Sequence, residues 1–216
     1  MNRMVKRSLR VIGLALAIAA VLIIGTRLYQ SWALDREAER LGELLNLKPG
    51  AIVAEIGAGN GDMAVRIAKQ IQPGGLLYAT ELDTEELERI RANVSKHGLT
   101  NVQVIQGAVD GTGLPEDCCN AIFMRHVYHH FSLPEQMNAS MGQALRPGGL
   151  LAVVDFPPDW LLSTFAPLNY VPANRGGHGI RHELLIEELN RDGFKFVQLI
   201  NGWDGNQYLV LVRKAA

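Results

Sequence analysis

An α/β fold with a doubly wound, seven-stranded sheet is what this sequence predicts, and three observations predict it. From Asp35 onward, short apolar runs alternate with amphipathic helical stretches. Gly57, Gly59 and Gly61 punctuate the passage from the first run to the first helix, where such sheets open onto ligands. Residues Asn201–Gln207 alone separate the last two runs, too few for a crossover helix, so the final strand must run antiparallel.

An apolar segment comes first. Val11 to Thr26 carries no charge, with Arg3, Lys6, Arg7 and Arg10 before it and Arg27 after it. At ~1.5 Å per residue it reaches roughly 24 Å, a little short of the ~30 Å hydrocarbon core. Arg10 and Arg27 can snorkel, and Leu28, Tyr29 and Trp32 suit the far interface. A single-pass membrane anchor through residues 11–29 is the first expectation. A cleaved signal is the second, since Ser31 and Ala33 place small residues at cleavage spacing, with Arg27 and Trp32 against it; it would leave a secreted or periplasmic protein. Four basic residues before the segment against Arg27, Arg36 and Arg40 after it favour a cytoplasmic N-terminus by a narrow margin. The side of the membrane stays open. The expected division is residues 1–30 as anchor or signal and residues 34–216 as one domain.

The elements of that domain follow in order. Asp35–Leu47 reads as an amphipathic helix with Leu41, Leu44 and Leu45 on one face, stopped by Lys48, Pro49 and Gly50. Strands are expected at Ile52–Ile56, Leu76–Glu81, Val102–Gln106, Ala121–Arg125, Leu150–Phe156, Lys195–Ile200 and Tyr208–Val212. Helices are expected at Met63–Ile71, Glu85–Lys96, Glu135–Leu145 and His182–Arg191. Pro157–Gly179, with Trp160, Phe165, Tyr170 and four prolines, is too long for a plain connection and reads as an aromatic lid or as packing.

Composition narrows the partners. Lysine and arginine number 21 against 22 acidic residues, and no basic cluster stands near the glycine loop, so nucleic acid is not expected. Cys118 and Cys119, the two cysteines, are adjacent and cannot form a disulfide framework. His126, His129 and His130 lack a carboxylate or cysteine partner at ligand spacing, so no metal is expected.

Two acids sharpen the glycine loop. Glu81 closes the second strand twenty residues beyond Gly61, where a carboxylate can accept both hydroxyls of a ribose. Glu55 lies two residues before Gly57, where it would repel a pyrophosphate and suit an ammonium group. The alternative roles are a cap on loop amides for Glu55 and a solvated strand end for Glu81.

Three stretches carry a resemblance. Glu55–Gly61, Tyr78–Glu81 and Leu145–Asp155 resemble the successive motifs of class I S-adenosylmethionine-dependent methyltransferases. Arg125–Phe131 is similar to the segment after strand four in the ubiquinone/menaquinone-methyltransferase-like group, often called methyltransferase type 11. The resemblance implies a Rossmann-like seven-stranded sheet, cofactor across the carboxyl ends of strands one and two, and substrate above strands four and five. It implies a cofactor site from Glu55, Gly57, Gly59, Gly61, Glu81 and Arg125. Relatives often place an acid directly after the glycine ending strand three, facing the adenine. Here Ala108 stands there, so either Asp110 or the backbone of Ala108 and Val109 makes that contact.

Methyl transfer is an in-line displacement, so alignment and electrostatics carry most of it. A base is needed where the acceptor loses a proton, and His126 or His129 is the candidate. Packing of the loop is the other role open to both. The expected function is transfer of a methyl group to a small, apolar or aromatic molecule. The alternatives are a membrane-tethered, non-catalytic S-adenosylmethionine-binding module and, disfavoured by Glu55 and Asp62, a nicotinamide enzyme.

Overall fold

The computed structural model describes residues 3–165, 168, 170–171, 175 and 177–215, with side chains except at 3–15, 160 and 162. The side chains of Arg3, Lys6, Arg7, Arg10 and Trp160, together with Pro167 and Pro172, therefore lie outside the described residues.

The first helix, α1, is continuous over Arg3–Leu44, so the apolar segment and the expected helix at Asp35 are one element. Its stretch Leu16–Leu44 is long and apolar enough to cross a membrane by length and composition, with a mean hydropathy of 1.3. α1 ends three residues earlier than expected because Asn46 turns left-handed at φ 52°. Leu47 N–H then donates to Gly42 C=O at 2.8 Å and Asn46 N–H to Glu43 C=O at 3.1 Å, the paired bonds of a Schellman stop. The chain forms two compact units, residues 1–40 and residues 41–216.

In the second unit, β1 (Ile52–Ile56), α2 (Asp62–Gln70), β2 (Leu76–Glu81), α3 (Thr84–Lys96), β3 (Val102–Gln106) and β4 (Cys119–Arg125) follow one another. A short 3-10 turn at Tyr128–His130 leads to α4 (Pro134–Ala144), β5 (Leu145–Asp155), α5 (Trp160–Phe165), α6 (His182–Arg191), β6 (Phe194–Asn201) and β7 (Tyr208–Lys214). The sheet order is β3-β2-β1-β4-β5-β7-β6, with β7 antiparallel to both neighbours and the other pairs parallel. The expected seven-stranded, mostly parallel sheet is what forms. Its order reverses between β1 and β4, the point where open sheets leave a crevice at their carboxyl ends.

Two boundaries moved for local reasons. β5 starts at Leu145 rather than Leu150, because Leu145 pairs with Cys119 while Leu150 pairs with Ala121. Four residues of β5, Arg146–Gly149, thus stand opposite the single Asn120 of β4 and bulge out. α5 forms inside the stretch expected to be a loop, where the Asp159 carboxylate accepts Leu161 N–H at 2.9 Å and caps the first turn. The core lies where β1, β4 and β5 meet α4 and α6, around Ile122, Met124, Met141, Leu145 and Leu185, all fully buried. This core holds the β1 and β4 ends rigid beneath the site.

Candidate functional site

The strand β1 delivers the chain into the glycine loop at Ile56. Gly57, Gly59 and Gly61 all adopt left-handed backbone, at φ 69°, 54° and 79°. Gly57 is doubly constrained, since a Cβ there would stand 2.5 Å from Val127 Cγ2. Nothing lies within 4 Å of a Cβ at Gly59, so that face of the loop is open space.

Glu81 leans back onto this loop. Its Oε2 accepts Gly59 N–H at 3.0 Å and its Oε1 accepts Leu82 N–H at 2.7 Å. Each carboxylate oxygen keeps a second lone-pair direction, so Glu81 retains capacity for two further donors.

A cavity of about 490 Å³ opens above these strand ends, within the size range of small-molecule sites. Ile56, Gly57, Thr80 and Glu81 form one part of its wall, and Gly107, Ala108, Val109 and Thr112 another. The segment after β4 supplies Arg125, His126, Val127 and His130, and Tyr170 closes the same side. Gly57 of the glycine loop, Glu81 and the histidine segment thus share one space. Gly59 and Gly61 themselves do not line it.

Other expected site residues fall outside that wall. Glu55 is buried at 3% exposure within β1, flanked by Ala79 and Phe123, and does not line the cavity. Asp110 is exposed and does not line it either, whereas Val109 does. Ala108 N–H donates to Gly111 C=O at 2.8 Å, so the turn after β3 already uses one of the two amides expected to face adenine.

His126 holds left-handed backbone at φ 57°, costly for a residue with a side chain. Its Nε2 is buried with no hydrogen-bond partner among the described residues. His129 does not line the cavity but packs behind it at 2% exposure. Its Nδ1 meets Asp155 Oδ1 at 2.9 Å and Oδ2 at 3.2 Å. Asp155, fully buried at the end of β5, also accepts the backbone N–H groups of His129 and Phe156. An aspartate so placed fixes the Nδ1–H tautomer and leaves the Nε2 lone pair as the basic site.

His130, which the sequence places in this segment without a role, stands between that pair and the cavity. Its ring lies 4.0 Å from that of His129, and its Nδ1 meets the Tyr170 hydroxyl at 2.8 Å. Burial, and then the neighbouring His129, push its pKa down to about 4, so it is neutral near pH 7. No sequence signal tied His130 to Tyr170, because forty residues separate them. Among the described residues no group of histidine, cysteine and carboxylate side chains has metal-site geometry.

Comparison with known proteins bears on this geometry. Residues 53–149 match the methyltransferase domain family. The ubiquinone/menaquinone biosynthesis C-methyltransferase UbiE of Hahella chejuensis (strain KCTC 2396) is 23% identical over 131 residues, 60% of this chain and 49% of that protein. A tRNA U34 carboxymethyltransferase of Desulfotalea psychrophila (strain LSv54 / DSM 12343) is 26% identical over 129 residues, 60% of this chain and 40% of that protein. The chain spans about half the length of the curated relatives it matches. A SAM dependent methyltransferase from Aquifex aeolicus shares the fold, with a TM-score of 0.69 at 21% identity over 82% of this chain and 88% of that one.

Proposed function

We propose that the chain, whose residues 53–149 match the methyltransferase domain family and whose fold is shared with a SAM dependent methyltransferase, is a class I S-adenosylmethionine-dependent methyltransferase that methylates a small, apolar or aromatic molecule. The observation that carries the proposal is the single cavity shared by Gly57, Glu81, His126, His130 and Tyr170. Its cofactor half offers an open glycine loop and a ribose-binding carboxylate. Its other half is walled by Val127, Phe131, Met137 and Tyr170, apolar surface broken by imidazoles and one phenol. Among the described residues no lysine lines it and Arg125 is the one arginine that does, so a phosphorylated or polyanionic acceptor has little to bind there.

S-adenosylmethionine supplies the electrophilic methyl, and the acceptor supplies the electron pair. The sulfonium leaves as the neutral thioether. Where the acceptor atom carries a proton, His126, in the cavity wall with its Nε2 unpartnered among the described residues, is the candidate that reaches it directly; His129, held at Nδ1 by Asp155, is the second candidate and takes the proton at Nε2 by way of His130. Glu55 contributes negative charge beneath the glycine loop toward the cofactor ammonium.

The helix α1 is read as the anchor. Leu16, Val21, Leu22 and Leu28 are each more than 60% exposed along it, a surface that lipid would cover. An anchored enzyme meets apolar acceptors where they concentrate.

Calorimetry on the full chain in detergent tests the cofactor reading, with S-adenosylmethionine, its demethylated product and NAD as titrants. Binding of both sulfur compounds and no response to NAD is expected. The reverse pattern would overturn it. Release of the demethylated product with phenols or quinols as acceptors separates an enzyme from a binding module.

A further inference from the structure

Behind the histidine turn lies a buried polar cluster to which the proposed chemistry gives no role. Tyr128 and Asn138 are fully buried, Arg175 is 3% exposed and Glu188 6%. The Tyr128 hydroxyl donates to Glu188 Oε2 at 3.0 Å and accepts from Asn138 Nδ2 at 2.9 Å. Arg175 forms an ion pair with the other carboxylate oxygen of Glu188. Its Nη2 also donates to the Tyr128 carbonyl at 3.1 Å, and its guanidinium stands 5.4 Å from the Tyr128 ring centre. Burial, followed by the Glu188 carboxylate, pushes the Tyr128 phenol well above its ordinary pKa, so it remains a donor.

As a source of stability this cluster is poor. Taking an arginine and a glutamate out of water costs nearly what their attraction returns, and such pairs are often replaceable by apolar side chains. Arg175 Nε is moreover buried with no acceptor among the described residues. What the cluster does fix is the orientation of one residue. Tyr128 is gripped at its hydroxyl by Glu188 and Asn138 and at its carbonyl by Arg175. That carbonyl also accepts the Phe131 N–H that closes the 3-10 turn. Two grips at opposite ends of Tyr128 set the path of the next two residues, which are His129 and His130.

We propose that the Arg175–Glu188 ion pair is a positioning clamp for the histidine turn, acting through Tyr128 to hold His129 on Asp155 and His130 at the cavity wall. The proposal rests on the methyltransferase reading only in calling that wall the acceptor side; the clamp itself is testable without turnover.

Arg175→Met alone strands a buried carboxylate, so the decisive variant is Arg175→Met with Glu188→Leu, an apolar pair of similar volume. Histidine ring resonances are followed by nuclear magnetic resonance on the full chain in detergent micelles, beside thermal melts. The expected result is a melting temperature close to the parent's with the histidine turn released. Exchange of the His129 Nδ1 proton with water should speed up at least tenfold. The His130 titration should rise from about 4 toward the ordinary 6.5. Arg175→Lys, which keeps the charge, should recover part of both signals. Unchanged histidine signals in the double variant would overturn the clamp and leave the pair a packing element. Should the double variant not fold, Glu188→Gln weakens the ion pair while keeping a hydrogen bond to Tyr128, and the same two signals decide. Titration of the parent with the demethylated cofactor runs alongside: failure there counts against the methyltransferase reading and leaves the clamp to be judged on the resonances.

Discussion

The Glu81 carboxylate holds the backbone N–H of Gly59 at 3.0 Å, tying the end of β2 to the middle of the loop that follows β1. One side chain therefore shapes the glycine loop and lines the cavity, where the proposed function puts the ribose. Glu81→Ala should weaken binding of the demethylated cofactor by about 1.5–3 kcal/mol, the usual loss for hydrogen bonds to a charged group. The melting temperature should also fall a few degrees, since Gly59 loses its acceptor. Glu81→Gln keeps an acceptor oxygen and should recover most of the melting temperature but less of the affinity. Calorimetry and thermal melts check both. Full affinity in the alanine variant would remove Glu81 from the cofactor site.

Gly57 and Gly59 should respond differently to alanine. Both pay for left-handed backbone, roughly 1–2 kcal/mol for a residue with a Cβ. Gly57→Ala also drives its Cβ to 2.5 Å from Val127 Cγ2, whereas Gly59→Ala meets nothing within 4 Å. Denaturant unfolding should show Gly57→Ala as clearly the less stable. Loss of cofactor affinity in Gly59→Ala, with stability nearly kept, would place the ligand against that face. Equal destabilisation by the two would contradict the packing described for Val127.

The sheet was legible because its strands are short apolar runs whose spacing leaves few topologies. β5 was less so, because Arg146, Pro147, Gly148 and Gly149 read as a turn, and only the pairing of Cys119 with Leu145 makes the preceding residue strand. The glycine loop and Glu81 were legible as a local motif. The histidine side was legible in part: the segment stands out, but no periodicity tells which imidazole meets Asp155 and which lines the cavity. The Arg175 cluster was invisible, since its partners lie 13 and 47 residues away and carry no pattern.

Asp155→Asn should leave the fold intact and cost activity. The amide is nearly isosteric, but it no longer fixes the Nδ1–H tautomer of His129. A fall of roughly 10²–10⁴-fold in turnover is expected for an acceptor that loses a proton. Cofactor affinity should stay within about twofold. Steady-state kinetics with any acceptor the parent methylates checks this, and unchanged turnover would leave His129 as packing.

His130 gives a pH dependence with a defined sign. Its folded-state pKa is lowered to about 4 by burial and by His129, against an ordinary value of 6.5. Between those values the unfolded chain binds a proton that the folded chain does not, so stability falls as pH drops from about 6.5 to about 4 and is unaffected by this group above that window. His130→Gln removes the titrating group and should flatten that part of the profile. Melting temperatures measured from pH 4 to pH 8 for parent and variant decide it. Identical slopes would mean that His130 titrates alike in both states.

The helix α1 should hold the chain in a membrane with its N-terminus attached. Its stretch Leu16–Leu44 is long and apolar enough to span, and Tyr29 and Trp32 are more than half exposed, fitting an interfacial position beyond the apolar run. A spanning helix anchors almost irreversibly, whereas a helix lying in the interface is held by far less buried area. Alkaline carbonate extraction followed by mass measurement of the whole chain tests both points. The expected result is recovery in the membrane pellet with residues 1–33 still present. Recovery in the supernatant with a new N-terminus near Leu34 would identify a cleaved signal and place the domain on the far side of the membrane. The cytosolic supply of S-adenosylmethionine would then not reach the cavity, and the proposed reaction would need a source of cofactor outside the cell membrane. The same extraction on a variant with Leu22→Arg and Ile23→Arg should shift the chain into the supernatant, because two charges at mid-span cost about 2.5–3.5 kcal/mol each.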